Sequence, residues 1–340
     1  MVDDSNDSTI GRLDSALLGG PRTLVLADLA ERAGASLKQA RAFWLSLGLP
    51  VAEAADPSQP AFTEADAVAL ARAMSLIQEH GVAEQTVVSL TRALGQTCDR
   101  LSLWQMEALV EDIAERYALD DVSARLVVLD RLEDIGPILE AQLVHAWRRQ
   151  MAAISGRYSV EFSQARAADT PPEGSLPLVR AMGYADMVDY TRRTAGISSK
   201  GLASLVRRFE NAVRDVVIST GGRVVKTIGD AVMFVADVPD VAATIALGLT
   251  REMSAAADLP DVRVSMCYGR VLSRCGDVYE TKTNIAARLN EIAGPGKVLT
   301  DEPTSAHLRG DDRFILTRQP EREFIGIGQV TPVLLESALG

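Results

Sequence analysis

The sequence predicts an α+β chain in two parts: an all-α first half, then a second half whose elements run β-α-β-β-α-β. Three observations carry this. Apolar residues recur at helical spacing through residues 23–152, where strand signals are few. The run Ala167-Ala168-Asp169-Thr170-Pro171-Pro172-Glu173-Gly174 interrupts that spacing, because tandem Pro next to Gly disfavours regular structure. Beyond it, β-branched runs flank the dipeptide Gly229-Asp230, the pattern of a tight hairpin. A chain of 340 residues is too long for one small core. The expected division is an all-α domain over 1–155, a linker over 156–177 and a mixed domain over 178–340.

In the first half, residues 1–15 read as a frayed lead-in. Leu24, Leu26, Leu29 and Ala30 open a short helix that Gly34 ends, and a second helix over 36–47 stops at Gly48 and Pro50. A loop rich in Ala, Pro, Asp and Ser spans 52–60. Thr63 and Asp66 form a cap pair for the next helix. Amphipathic stretches follow at 84–94, 102–117 and 124–149. The opening pair of helices looks like a helix-turn-helix. Its second helix offers only Lys38 and Arg41 as cations, and the chain carries a net charge of −11, so packing or regulation is the expected role and nucleic acid is not an expected partner.

In the second half, a strand at 178–184 precedes a helix starting near 199. Leu202, Leu205, Val206, Phe209, Val213, Val216 and Val217 make its apolar stripe, and Gly221-Gly222 end it. The hairpin follows, then a helix over 241–256. Val262, Val264, Met266 and Tyr268 then alternate with Arg263, Ser265 and Cys267, as in a half-buried strand. This order is ferredoxin-like.

Composition narrows the function classes. Hydrophobic content of 47% with 24% charged residues is ordinary for a globular chain. Cys98, Cys267 and Cys275 show no CxxC spacing, which fits a reducing cytoplasm. The acidic start, Met1-Val2-Asp3-Asp4-Ser5, is not a signal peptide, and no apolar run is long enough to span a bilayer. A cytoplasmic location is expected, with any membrane contact peripheral.

Two constellations carry chemistry. Lys226 interrupts an apolar strand, and Asp230 occupies the hairpin turn. The β-α-β rule makes the first two strands parallel, and the hairpin reverses the third. The end of the first strand, with Asp186, and the start of the third, with Asp230, therefore share one edge. Two carboxylates there repel unless one is protonated or a hard divalent cation joins them. The competing reading is a surface lysine with two solvated loop acids. Further on, Ile285, Leu289 and Ile292 make an apolar stripe beside Asn284 and Arg288, which are i, i+4. An amide and a guanidinium on one face can grip a ribose and a phosphoryl group, or simply be solvated.

Together, Tyr184-Ala185-Asp186-Met187-Val188-Asp189-Tyr190-Thr191, Lys226-Thr227-Ile228-Gly229-Asp230 and Gly276-Asp277 leading to Asn284-Ile285-Ala286-Ala287-Arg288 resemble the catalytic domain of class III nucleotidyl cyclases, in particular actinobacterial adenylate cyclases. The helical half is similar to the regulatory domain that precedes some of these enzymes. The resemblance implies formation of 3′,5′-cyclic AMP and pyrophosphate from ATP. It implies that Asp186 and Asp230, with the Met187 carbonyl, hold two Mg²⁺ or Mn²⁺ ions. Lys226 and Asp277 would read adenine, Asn284 would orient the ribose, and Arg288 would neutralise charge on the α-phosphate. Metals would come from one subunit and the other groups from its partner, so a head-to-tail homodimer is implied. The helical domain would answer to pH or to a small-molecule or lipid-like ligand. Departures from the family pattern are Asp189 for a small residue beside the triphosphate, Glu280 and Lys282 near the interface helix, and Ile325 where a phosphate-binding Lys is usual. They motivate the alternative of a weak or inactive nucleotide sensor that keeps the fold.

Overall fold

Polar caps and glycine stops cut the first half of the chain into helices much as its periodicity predicts. The computed structural model describes residues 9–49, 59–167, 178–190, 192, 196–274, 277–279 and 281–338, which form two compact units, Met1–Ala167 and Ala168–Gly340. In the first unit the helices are α1 (Thr9–Leu18), α2 (Leu26–Arg32), α3 (Leu37–Ser46), α4 (Glu64–Gln78), α5 (Glu84–Tyr117) and α6 (Asp121–Ala167). Ser36 and Thr63 cap α3 and α4. The Thr63 hydroxyl accepts from the Asp66 N–H while the Asp66 carboxylate accepts from the Thr63 N–H, at 3.2 and 2.8 Å. Leu29, Leu70 and Phe62 are fully buried here, and Trp44 meets Phe62 edge to face at 4.7 Å.

Several expectations need correction. The lead-in is helical from Thr9, and the part of it before that lies outside the described residues, as does most of the 52–60 loop. The stretches at 84–94 and 102–117 are one helix of 34 residues, because Gly95 alone does not stop a run of good helix formers. Likewise α6 runs through Pro137 to Ala167, so residues 156–167 of the expected linker are helical. The breaking Pro171-Pro172 comes only after them, and residues 168–177 lie outside the described ones. Among the described residues no helix is long and apolar enough to cross a membrane.

The second unit holds β1 (Leu178–Met187), α7 (Ser199–Ser219), β2 (Arg223–Ile228), β3 (Ala231–Ala236), α8 (Pro239–Ala255) and β4 (Val262–Arg274). It continues with β5 (Asp277–Tyr279), α9 (Thr281–Ile292), β6 (Val298–Asp301), α10 (Glu302–Leu308), β7 (Phe314–Arg318), β8 (Arg322–Phe324), β9 (Gly328–Val330) and β10 (Pro332–Ser337). The main sheet has the order β2-β3-β1-β4-β6-β10-β7, with β1 antiparallel to both β3 and β4. Strands β1 to β4 with α7 and α8 are the expected ferredoxin-like core.

Both faces of this sheet are covered. On one, Ala185, Phe234, Val264 and Met266 pack against Phe209, Val213 and Val217 of α7 and Ile245 and Leu249 of α8. Each of the larger side chains among these contributes roughly 1.5–3 kcal/mol on burial. On the other, Met182, Met233 and Cys267 pack against Ile285, Ala286 and Leu289 of α9. Strand β4 is therefore not half-buried as its alternation suggests: Ser265 and Cys267 are as inaccessible as Val264 and Met266. Alternation there separates two buried layers.

Candidate active site

The hairpin between β2 and β3 is a two-residue turn. Ile228 pairs with Ala231, Gly229 sits first in the turn at φ +62°, and Asp230 follows. Glycine supplies the positive φ that such a turn demands. Ala231 also pairs with Asp186 across β1, and the Met187 N–H donates to the Asp230 carbonyl at 3.2 Å. The two acids thus meet at one sheet edge, as the topology requires.

Asp186 is 8% exposed and lies on the α9 face of the sheet, with Met182 and Tyr184. Burial pushes its carboxyl above the usual range and the nearby Asp230 charge adds to this, while the Arg263 guanidinium opposes both. Arg263 sits directly across from Asp186 on β4; its Nε donates to Oδ2 at 2.6 Å, and Nη2 forms an ion pair with the same oxygen at 2.5 Å. Sequence reasoning missed Arg263 by treating it as one polar position on an outward face. Its position opposite Asp186 in an antiparallel pair is the signal that could have found it.

Lys226 occupies a β-bulge. Register slips between Val224 and Lys226, so that Lys226 pairs with Met233. Unbulged alternation would place Lys226 on the α7 and α8 face. The extra residue turns it to the α9 face shared by Met233 and Asp186. Strand β5, which begins at Asp277, pairs with the end of β4 and lies against β2, so the strands carrying Lys226 and Asp277 are neighbours.

Asn284 and Arg288 project from the exposed face of α9, while Thr283, Ile285, Ala286 and Leu289 point into the sheet. The buried Asn290 amide ties the helix down by donating to the Tyr184 and Arg263 carbonyls at 3.1 and 3.0 Å. Arg288 Nη1 donates to both carboxylate oxygens of Glu291, at 2.7 and 3.0 Å, and not to Asp186 or Asp230. One protomer therefore brings the buried Asp186 beside the half-buried Asp230 and leaves the amide and guanidinium on an open helix face.

Asp189 stands at φ +58°, a left-handed conformation that most side chains resist, which gives a physical reason for a small residue there. Its carboxylate accepts from Arg192 Nη2 at 2.7 Å. Ile325 is 96% exposed at the tip between β8 and β9. Glu280 lies outside the described residues.

Among the described residues no cluster of three or more His, Cys, Asp or Glu side chains could hold a metal ion. Two carboxylates and a backbone carbonyl still fit a hard divalent ion that takes its remaining ligands from phosphate oxygens and water. A buried carboxylate already balanced by a cation, beside a second acid, fits the same role.

The profile of the adenylate and guanylate cyclase catalytic domain matches residues 180–337. An adenylate cyclase of Glutamicibacter nicotianae is 40% identical over 98% of this chain and 83% of its own length. An adenylate cyclase of Streptomyces coelicolor is 35% identical over 90% of this chain and 77% of its own. One from Streptomyces griseus is 34% identical, covering 88% and 72%. With that likeness running through both units and the acids meeting where the topology puts them, the chain belongs to the class III adenylate cyclases.

Proposed function

We propose that this chain makes 3′,5′-cyclic AMP and pyrophosphate from ATP in a site completed by a second copy of itself. The observation that carries the reading is the meeting of Asp186 and Asp230 at the end of β1. Asp186, Asp230 and the Met187 carbonyl would hold two Mg²⁺ or Mn²⁺ ions. When bound, these ions acidify the ribose 3′-hydroxyl and screen the triphosphate.

The chain's own groups do the rest. Lys226 donates to adenine N1 and Asp277 accepts from the exocyclic amine, a pattern that guanine does not match. Asn284 orients the ribose. Arg288 leaves Glu291 and stabilises charge building on the α-phosphate. That exchange is cheap, since an exposed pair contributes at most about 1 kcal/mol. Support for a second protomer comes from the exposure of the Asn284 and Arg288 face. With Ile325 in place of a lysine, the terminal phosphates lose one cation, so a high KM for ATP is expected.

The helical unit is assigned a regulatory role, supported by its inclusion in the stretch aligned with the relatives. The cavity among Phe43, Met74, Ile77 and Val87 measures about 10 Å³, room for about one water, so a small-molecule or lipid-like ligand there would need α3, α4 and α5 to part. Full-length protein incubated with ATP and Mn²⁺ should release cyclic AMP. Absence of product across a range of pH would overturn the assignment.

A further inference from the structure

Lys282 has no part in the chemistry above, and its placement goes against local preference. It occupies the first turn of α9, where the helix dipole disfavours a cation. Its side chain does not go to solvent. The stem passes over Gly269 of β4, where a Cβ would come within 2.9 Å of Lys282 Cγ. The ammonium pairs with Oδ2 of Asp301, whose side chain is only 2% exposed.

Asp301 is itself anchored. Its Oδ1 accepts from the Thr304 N–H at 3.0 Å and caps α10, and Thr304 Oγ1 accepts from the Tyr268 N–H at 2.8 Å. The Cys267 thiol beside it is pushed well above its ordinary pKa by burial and then by the Asp301 charge, so it stays neutral and Lys282 faces a single anion. One ion pair, its carboxylate buried and its ammonium partly so, thus joins the start of α9 to β6, α10 and β4. Asn284 lies two residues beyond Lys282. In the same turn the buried Thr283 hydroxyl donates to Met182 Sδ at 3.2 Å, a weak acceptor, and the remaining ties fall later: Ser265 Oγ to the Ala286 carbonyl at 2.7 Å, and the Asn290 amide.

We propose that Lys282 is a positioning residue of the cyclase reaction. Its pair with Asp301 fixes the first turn of α9 and so aims Asn284 and Arg288 at the nucleotide. This rests on reading those two residues as substrate-facing. A buried pair need not add net stability, and its partners can be replaced together without loss of fold. Breaking it alone leaves an uncompensated buried carboxylate.

The test uses full-length Lys282→Met and the double variant Lys282→Met/Asp301→Asn, in which Asn still caps α10. The single variant should melt lower and lose about tenfold in kcat with little change in KM for ATP, because misplaced groups act in the transition state. The double variant should recover its melting temperature but not its kcat. Recovery of both together, or a folded single variant with wild-type kcat, would overturn the proposal. Arg288→Ala runs alongside: if it keeps full activity, the reading of α9 fails. If it is inactive while Lys282→Met is fully active, only the positioning role fails.

Discussion

The two halves of the site are built on opposite principles. The acid seam is largely shielded and internally balanced: Asp186 is 8% exposed, sits beside the half-buried Asp230 and is held by Arg263 from the adjacent strand. The α9 face is open, with Arg288 tied among the described residues to a neighbouring glutamate on the same helix. The difference teaches that the acid pair is assembled within one chain, whereas the amide and guanidinium are presented outward; in the proposed function these are the metal-binding and phosphate-gripping halves. A buried carboxylate needs a counter-charge, and Arg263 supplies it. An exposed arginine can change partners at little cost.

The comparison is broken most severely at the seam. Asp230→Ala should lower cyclic AMP formation by on the order of 10³-fold, since a metal-bound charge contributes several kcal/mol to the transition state. Loss of under tenfold would remove Asp230 from the metal site. On the open face, Arg288→Ala should cost roughly 10²- to 10³-fold in kcat with KM nearly unchanged. A rise in KM alone would recast Arg288 as a ground-state binder.

The seam also carries a pH signature. The Asp186 carboxyl is raised in the folded chain, by burial first. Folding therefore holds its proton more tightly, and that contribution to stability is full below the unfolded carboxylate pKa and lost as pH rises through the raised folded value. A divalent ion competes with the same proton. The increase in Tm caused by Mg²⁺ should therefore grow as pH rises through that window, which thermal melts with and without the ion will show. A pH-independent increment would contradict the assignment.

The smallest effect belongs to Asp189. Its left-handed backbone and its charge are both relieved in Asp189→Gly, which should lower KM for ATP by roughly two- to fivefold, because Arg192 already offsets part of the charge. An unchanged KM would mean that Asp189 does not face the triphosphate.

Much of this was legible in the sequence. The approach of Asp186 to Asp230 follows from strand order alone, and the exposure of Asn284 and Arg288 follows from the stripe of Ile285 and Leu289. Arg263 was not legible as a site residue, because alternation tells the two faces of a strand apart but not which of them is covered. Lys226 reads as out of place until the bulge at Val225 turns it to the α9 face. The tie between Lys282 and Asp301 joins residues 19 apart through a gap that only Gly269 leaves, and no local pattern announces it. The lengths of α5 and α6 are not legible because Gly95 and Gly156 carry the local mark of a break, yet the good helix formers around each keep the helix running.

The split between seam and open face is tested most directly by mixing two inactive chains. Asp230→Ala and Arg288→Ala protomers, co-expressed with different tags and purified as the heterodimer, should regain roughly half of wild-type activity, because one of two symmetric sites then receives both intact halves. A heterodimer as inactive as either parent would contradict a site shared between two copies.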